Sequence, residues 1–291
     1  VTARDGDHFA SIEDVEEAFR GASYLTHRGL ATALYLALRA GRPLLLEGEA
    51  GVGKTEVART LARVRGLELI RLQCYEGIDA GQALYEWDYA RQLLHARMAA
   101  DGSAGTADLY GPEFLLERPL LKAIRAGGSA VLLIDELDRA DDEFEAFLLE
   151  ALSDYAVTVP ELGTIAADAP PIVIITSNRT RELHDALKRR CLFHWIDFPD
   201  REEEARIIRL RAPEVGDRLA ASVARAVERI RGLDLIRLPG AAEAIDWARA
   251  LAILGADAVT SEAARATLGW AIKNRDDMRR VELALPELVD G

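Results

Sequence analysis

Gly48-Glu49-Ala50-Gly51-Val52-Gly53-Lys54-Thr55 decides the fold of this 291-residue chain. The octet fits G-x-x-x-x-G-K-[ST]. Glycines in that pattern let the backbone wrap closely around phosphate oxygens, and the N–H groups converge on them at a helix N-terminus. The flanks agree. Pro43-Leu44-Leu45-Leu46 is a short apolar run, as a strand buried on both faces would have. Helical spacing then runs from Lys54 to about Arg65, before Gly66. The segment Gly48, Glu49, Ala50, Gly51, Val52, Gly53, Lys54, Thr55 and Glu56 is the candidate nucleotide-binding stretch. In it, Lys54 reaches the β- and γ-phosphates and Thr55 offers its hydroxyl to Mg²⁺. The dinucleotide fingerprint fits less well, because Glu56 stands where its third glycine belongs.

Further strand signals lie outward from this loop. Leu67 to Leu72, Ala130 to Ile134 and Ile172 to Thr176 read as strands, and Trp195 to Phe198 as a fifth that Pro199 stops. Helical patterns fill the intervals near 12–20, 27–40, 80–99, 117–126 and 142–153. Alternation over 155–167 predicts a projecting hairpin. Residues 101–112 are polar and glycine-bearing, so a mobile loop is expected there. After Pro199 only helical patterns remain, including Val223, Val227 and Ile230, then Ala244, Trp247 and Leu251. The expectation is an α/β body over 1–199, with a parallel five-stranded sheet flanked by helices, and a small all-helical domain over 200–291. Trp247 and Trp270 are expected to pack inside the second.

Val131-Leu132-Leu133-Ile134-Asp135-Glu136 is an apolar strand that ends in two acids. At a strand's carboxyl end both can edge one site. Asp135 is suited to hold Mg²⁺ with Thr55, partly through water, and Glu136 to polarise an attacking water. A second acid favours hydrolysis over simple binding. The following acids, Asp138, Asp141, Asp142, Glu143 and Glu145, read as a solvated helix start. Asn178 closes the Ile172–Thr176 run, where it could hydrogen-bond a γ-phosphate and a water or simply serve as a turn residue. The Arg189-Arg190 pair could stabilise a transferring phosphoryl group from a neighbouring subunit, or form a surface salt bridge.

Composition sets outer limits. Apolar residues make up 49 % and charged residues 29 % of the chain, which excludes fibrous, collagen-like and disordered classes. The net charge of −13 opposes an electrostatic grip on nucleic acid or an anionic membrane. Cys74 and Cys191 stand alone, and the five histidines are scattered without zinc-ligand spacing. Arg225, Arg229 and Arg231 read as a solvated face among acids. The first fourteen residues lack a basic start and apolar run, and no stretch is long enough to span a bilayer, so a cytoplasmic protein is expected.

Taken together, Gly48 to Thr55, Val131 to Glu136, Asn178 and Arg190, followed by an all-helical segment, resemble an AAA+ ATPase. Asp135-Glu136-Leu137-Asp138-Arg139-Ala140 resembles the D-E-[IL]-[ND]-R-A signature of the MoxR branch. Three further segments are similar to the CoxD-type ATPases of carbon monoxide dehydrogenase gene clusters. They are Leu72 to Gly77, Tyr85 to Tyr89 and Ala186 to Cys191. The resemblance implies a P-loop AAA+ body with a helical lid, hydrolysing Mg-ATP between the subunits of a homo-oligomeric ring, usually a hexamer. In it Asn178 would be sensor 1 and Arg190 the arginine finger, with Arg189 the close alternative. Residues 155–167 and the segment near 73–89 would face a substrate. The implied partners are a protein client, here a molybdenum hydroxylase whose molybdenum–copper site is matured, and a von Willebrand factor A domain protein. A nucleic-acid-directed motor or loader and a nucleotide-dependent switch are the alternatives. One departure stands out. Where the branch carries a small-Pro-Arg sensor 2, this chain has Leu238-Pro239-Gly240-Ala241, and Arg237 is the candidate substitute.

Overall fold

The computed structural model describes residues 9–100 and 109–289. Most of the expected 101–112 loop lies outside them. The chain forms two compact units. The first takes residues up to Val15, Arg28–Glu47 and Ala58–His194. The second takes Glu16–His27, Gly48–Val57 and everything from Trp195. The units are thus interleaved in sequence, and the phosphate-loop segment counts with the C-terminal helices.

A parallel sheet organises the first unit. Its strands are β1 (Leu44–Gly48), β2 (Glu68–Gln73), β5 (Ala130–Asp135), β8 (Ile172–Ser177) and β9 (Leu192–Ile196), in the order β2-β5-β8-β1-β9. Every residue of β1 and β5 is buried, as expected of strands covered on both faces. The register aligns Gln73 with Asp135, Ile134 with Ile175, and Leu46 with Thr176. Leu132, Ile134, Leu120, Ile124, Phe144 and Leu148 anchor the apolar core. Helix Asp142–Asp154 starts at Asp141, whose carboxylate accepts the Phe144 N–H at 2.9 Å. The hairpin expected over 155–167 is present as β6 (Ala156–Val159) and β7 (Gly163–Ala166), paired antiparallel.

Two expectations for the secondary structure of the first unit need correction. The helix over 80–99 is broken into Ala80–Leu84 and Tyr89–Ala100 by β3 (Tyr85–Trp87), which pairs antiparallel with β4 (Leu115–Glu117). The aromatic Tyr85 and Trp87 suit a pleated surface. Trp87 is buried edge-on against Tyr110, with ring centroids 5.3 Å apart. That long-range packing outweighs the local helical pattern. The last strand begins three residues earlier than expected, because the Leu192 N–H donates to the Pro43 carbonyl at 2.8 Å. Asp197 and Phe198 fall outside it.

In the second unit, helices Arg201–Arg211, Asp217–Arg231, Ala241–Ile253, Ser261–Thr267 and Arg275–Val289 surround Trp247. The indole is fully buried, and its Nε1–H donates to Thr267 Oγ1 at 2.8 Å, so its one polar atom is satisfied. Trp270, expected inside, is half exposed. Arg229 and Arg231 are not a solvated face. Arg229 donates to the Leu288 carbonyl at 2.9 Å. Arg231 forks onto Glu204 at 2.7 and 2.8 Å and stacks on Phe198, 4.2 Å from the ring centroid. Burial, outweighing the lowering effect of Arg231, pushes the Glu204 carboxyl up to about 7. Among the described residues no helix is long and apolar enough to cross a membrane.

Cys74 and Cys191 are free and buried, and burial pushes each thiol up to about 12. At pH 8 the folded chain therefore holds far less of each as thiolate than the unfolded chain does. Ellman's reagent should be inert toward the native protein over minutes and should titrate two thiols in guanidinium. Rapid native reaction would show that these sites open.

Candidate active site

The phosphate-binding loop belongs to the second unit. Gly51 and Gly53 sit at φ +83° and +97°, where a side chain is strained, so glycine at both positions follows from the backbone path. Helix Lys54–Arg65 starts directly after them. Its first N–H groups therefore face the loop's concavity, a ready anion site. Lys54 is buried and arches over its own loop, its Nζ donating to the Gly48 and Glu49 carbonyls at 2.8 and 2.7 Å. Glu49 and Ala50 are exposed, Val52 is buried and Thr55 is half-buried. Glu56 pairs with Arg211 at 3.2 Å. Its charge, after burial and together with Glu203, holds the Tyr24 phenol above its ordinary range.

The sensor 2 departure has a local cause. The Ala241 N–H donates to the Gly51 carbonyl at 3.0 Å, which brings Gly240 against the loop. A Cβ on Gly240 would lie 2.6 Å from Gly51 Cα and 2.8 Å from its oxygen. An arginine has no room there without a backbone shift. Arg237 is exposed, and its backbone N–H is bound by Asp277 at 3.0 Å.

The acidic pair ends β5 in the first unit. Asp135 is 1 % exposed. Its Oδ1 accepts from Thr176 Oγ1 at 2.7 Å, and its Oδ2 accepts from Arg71 Nε at 2.9 Å and Nη2 at 2.5 Å. Glu136 turns the chain at φ +56°, a left-handed conformation uncommon for such a residue, and its N–H donates to Thr176 Oγ1 at 2.9 Å. One threonine thus fixes both acids. The Glu136 carboxylate pairs with Arg139 at 3.0 Å.

Asp138 is a correction to the solvated-acid reading. It is 2 % exposed, and it accepts the Asn178 N–H at 3.1 Å, the Thr180 N–H at 2.9 Å and the Thr180 hydroxyl at 2.6 Å. It therefore clamps the loop that carries Asn178 to the strand that carries the acids. Glu145 is buried too, accepting the His184 N–H at 2.8 Å and pairing with Arg181. Asn178 itself is half-buried, and among the described residues its carboxamide has no hydrogen-bond partner. Arg189 and Arg190 end helix Asp185–Arg190, and their carbonyls accept from Arg42. Arg190 is not free in the single chain. It donates to the Leu149 carbonyl at 2.7 Å and to Ser153, at the end of helix Asp142–Asp154. Arg189 is exposed.

Sequence reasoning missed Arg71, Thr176, Asp138 and Arg139. Arg71 had a signal, a charge inside a strand. The register puts Arg71 opposite Leu133, hence on the same face as Asp135. Asp135 supplies a buried carboxylate, and Mg²⁺ is held by such hard oxygens in small number together with substrate phosphates and water. These donors fit that ion.

Residues 43–191 match the family described as AAA domain, dynein-related subfamily. Among curated proteins, the denitrification regulatory protein NirQ of Stutzerimonas stutzeri is 25 % identical over 201 residues, spanning 67 % of this chain and 65 % of that protein. NirQ of Pseudomonas aeruginosa is 26 % identical, spanning 59 % and 61 %. The gas vesicle ATPase GvpN of Haloferax mediterranei is 25 % identical, spanning 67 % and 58 %. The chain thus spans under two thirds of each of these relatives' length. Two solved point mutants of Thermotoga maritima RuvB share the fold. One has a TM-score of 0.53 at 21 % identity, covering 98 % of this chain and 81 % of that one. The other has 0.51 at 21 %, covering 100 % and 82 %.

Replacing Thr176 by valine keeps the shape and deletes the hydroxyl shared by Asp135 and the Glu136 N–H. Stability should fall by about 1–3 kcal/mol, read as a lower urea midpoint at unchanged slope. An unchanged midpoint would show that the two acids are held by other means.

Proposed function

Because the chain belongs to the AAA domain family, in its dynein-related, MoxR-like subfamily of ATPases, we propose that it is a Mg-ATP-driven, ring-forming chaperone that remodels a partner protein. The observation that carries this reading is the carboxyl edge of one parallel sheet. There β1 runs into the phosphate loop, β5 ends in Asp135 and Glu136, and β8 leads to Asn178. Ligands of open α/β sheets bind at such edges.

In the proposed mechanism the loop N–H groups and Lys54 hold the phosphates. Thr55 and Asp135 would hold Mg²⁺, partly through water, and the ion would supply charge neutralisation to the bound phosphates. Glu136 accepts the proton of the attacking water. It does so after leaving Arg139, whose guanidinium otherwise occupies a carboxylate oxygen that the water needs. Asn178 orients the water and reports the γ-phosphate, with Asp138 fixing its loop. Arg190 acts on a neighbouring subunit's nucleotide, releasing the Leu149 carbonyl as it does so, and Arg189 is the alternative. The division into a nucleotide body over 1–199 and a lid over 200–291 belongs to the same proposal.

For the client, the similarity of three segments to CoxD-type ATPases supports maturation of a molybdenum–copper centre in a cytoplasmic molybdenum hydroxylase, with a von Willebrand factor A domain protein as co-factor of the ring. The relatives' names, a denitrification regulatory protein and a gas vesicle ATPase, support work on behalf of other proteins. The net charge of −13 weighs against a nucleic-acid track.

Glu136→Gln should bind ATP as the native chain does and lose turnover by about 10²–10⁴-fold. In native mass measurements with Mg-ATP it should accumulate as a closed ring near six copies. Rapid hydrolysis by the variant would refute the role of Glu136, and a persistent monomer would refute the ring. Arg190→Ala mixed into native rings should poison turnover in trans by roughly 10³-fold or more per affected site. If Arg189→Ala does this and Arg190→Ala does not, the finger is Arg189.

A further inference from the structure

Both oxygens of Asp135 are engaged from within the chain, and the partner on Oδ2 is a cation. Arg71 lies two residues before the end of β2, on the face of the sheet that Asp135 shares, and it grips Oδ2 through Nε and Nη2. A buried carboxylate left without a counter-charge is strongly disfavoured. Arg71 supplies that charge. The two ends of the pair differ in exposure. The Asp135 side chain is 2 % exposed and that of Arg71 43 %, so the arginine can swing into solvent without opening the core. Gln73 stands beside it. Its Oε1 accepts from Arg71 Nη2, and its Nε2 donates to the Cys74 and Asp135 carbonyls at 3.3 and 3.4 Å.

We propose that Arg71 is the resting counter-ion of Asp135, a residue of the metal site that the Mg²⁺ arriving with nucleotide replaces. The inference rests on reading Asp135 as the Mg-ATP carboxylate. A divalent ion and a guanidinium beside one carboxylate oxygen repel each other, and more strongly in a dry site than in water. One must therefore leave as the other enters. Arg71 keeps the Asp135 carboxylate paired and oriented while the site is empty, and sets the Mg²⁺ concentration at which nucleotide is retained. Thr176 stays on Oδ1 throughout, so the carboxylate does not rotate during the exchange.

The test is a Mg²⁺ titration of the binding of a fluorescent, non-hydrolysable ATP analogue to the native chain, Arg71→Ala and Arg71→Lys. The half-saturating Mg²⁺ concentration should fall about fivefold or more in Arg71→Ala, as for two competitors coupled at one site. Arg71→Lys, which keeps the charge and loses the fork, should lie between. An unchanged or higher midpoint in Arg71→Ala, with the native chain showing Mg²⁺-dependent binding, overturns the exchange and leaves the site reading intact. No Mg²⁺-dependent binding by the native chain overturns both. Melting in the absence of metal is the second readout, and it also covers a poorly folded single variant. Arg71→Ala should lower the melting temperature, and adding Asp135→Asn should restore it. Failure of that rescue would make Arg71 a framework residue rather than a counter-ion.

Discussion

A carboxylate at the end of a fully buried strand has to be compensated, and much of the first unit is arranged around that requirement. Asp135 is almost entirely withdrawn from solvent, so its neighbours across the sheet serve it: Thr176 from β8 on one side and Arg71 from β2 on the other. The parallel register supplies these partners, since in-register residues share a face. With its proton given to Asp135, the Thr176 hydroxyl can still accept, and the Glu136 N–H donates to it. The left-handed turn at Glu136 is tied down by that bond. A buried charge, two cross-strand partners and one strained residue thus specify the orientation of both acids before any ligand arrives. Such preorganisation is what electrostatic catalysis draws on.

The same logic extends to the next strand tip. Asp138 fixes the 178–180 loop with three hydrogen bonds, so the position of Asn178 is coupled to the strand bearing the acids through a short backbone path. Glu145 and Arg181 add a second buried tie between helix Asp142–Asp154 and the segment that leads to Arg189 and Arg190. In the single chain Arg190 caps the far end of that helix. The residues read as working between subunits are thereby linked, through one helix, to the residues read as working within one.

What could be read from sequence follows from the range of the interactions involved. The phosphate loop, strands β1, β2, β5 and β8 and the hairpin were legible because glycine positions, apolar runs and alternation are local signals. The acids at the end of β5 were legible because they interrupt an apolar run. Asp138 and Glu145 were misread because an acid near a helix start looks the same whether it meets solvent or a distant backbone N–H. Arg71 was missed because its meaning lies in a register with a strand sixty residues away. The break of the 80–99 helix and the early start of β9 have the same origin, pairing with segments that no local window contains. Trp270 was misplaced because helical spacing identifies a face without saying whether anything covers it.

The contact between Gly51 and Gly240 bears on how work would pass through the second unit. An arginine sensor is a long, jointed, charged arm, and its grip weakens with ionic strength. Here the loop and helix Ala241–Ile253 meet backbone to backbone through one N–H···O bond, with the Glu243 carboxylate capping the Gly240 N–H beside it. Such a joint has almost no play, and salt leaves it largely untouched. The phosphate loop and the helix therefore behave as one stiff lever, and the cost of that stiffness is mutational: neither glycine can acquire even a methyl group without prising the lever open.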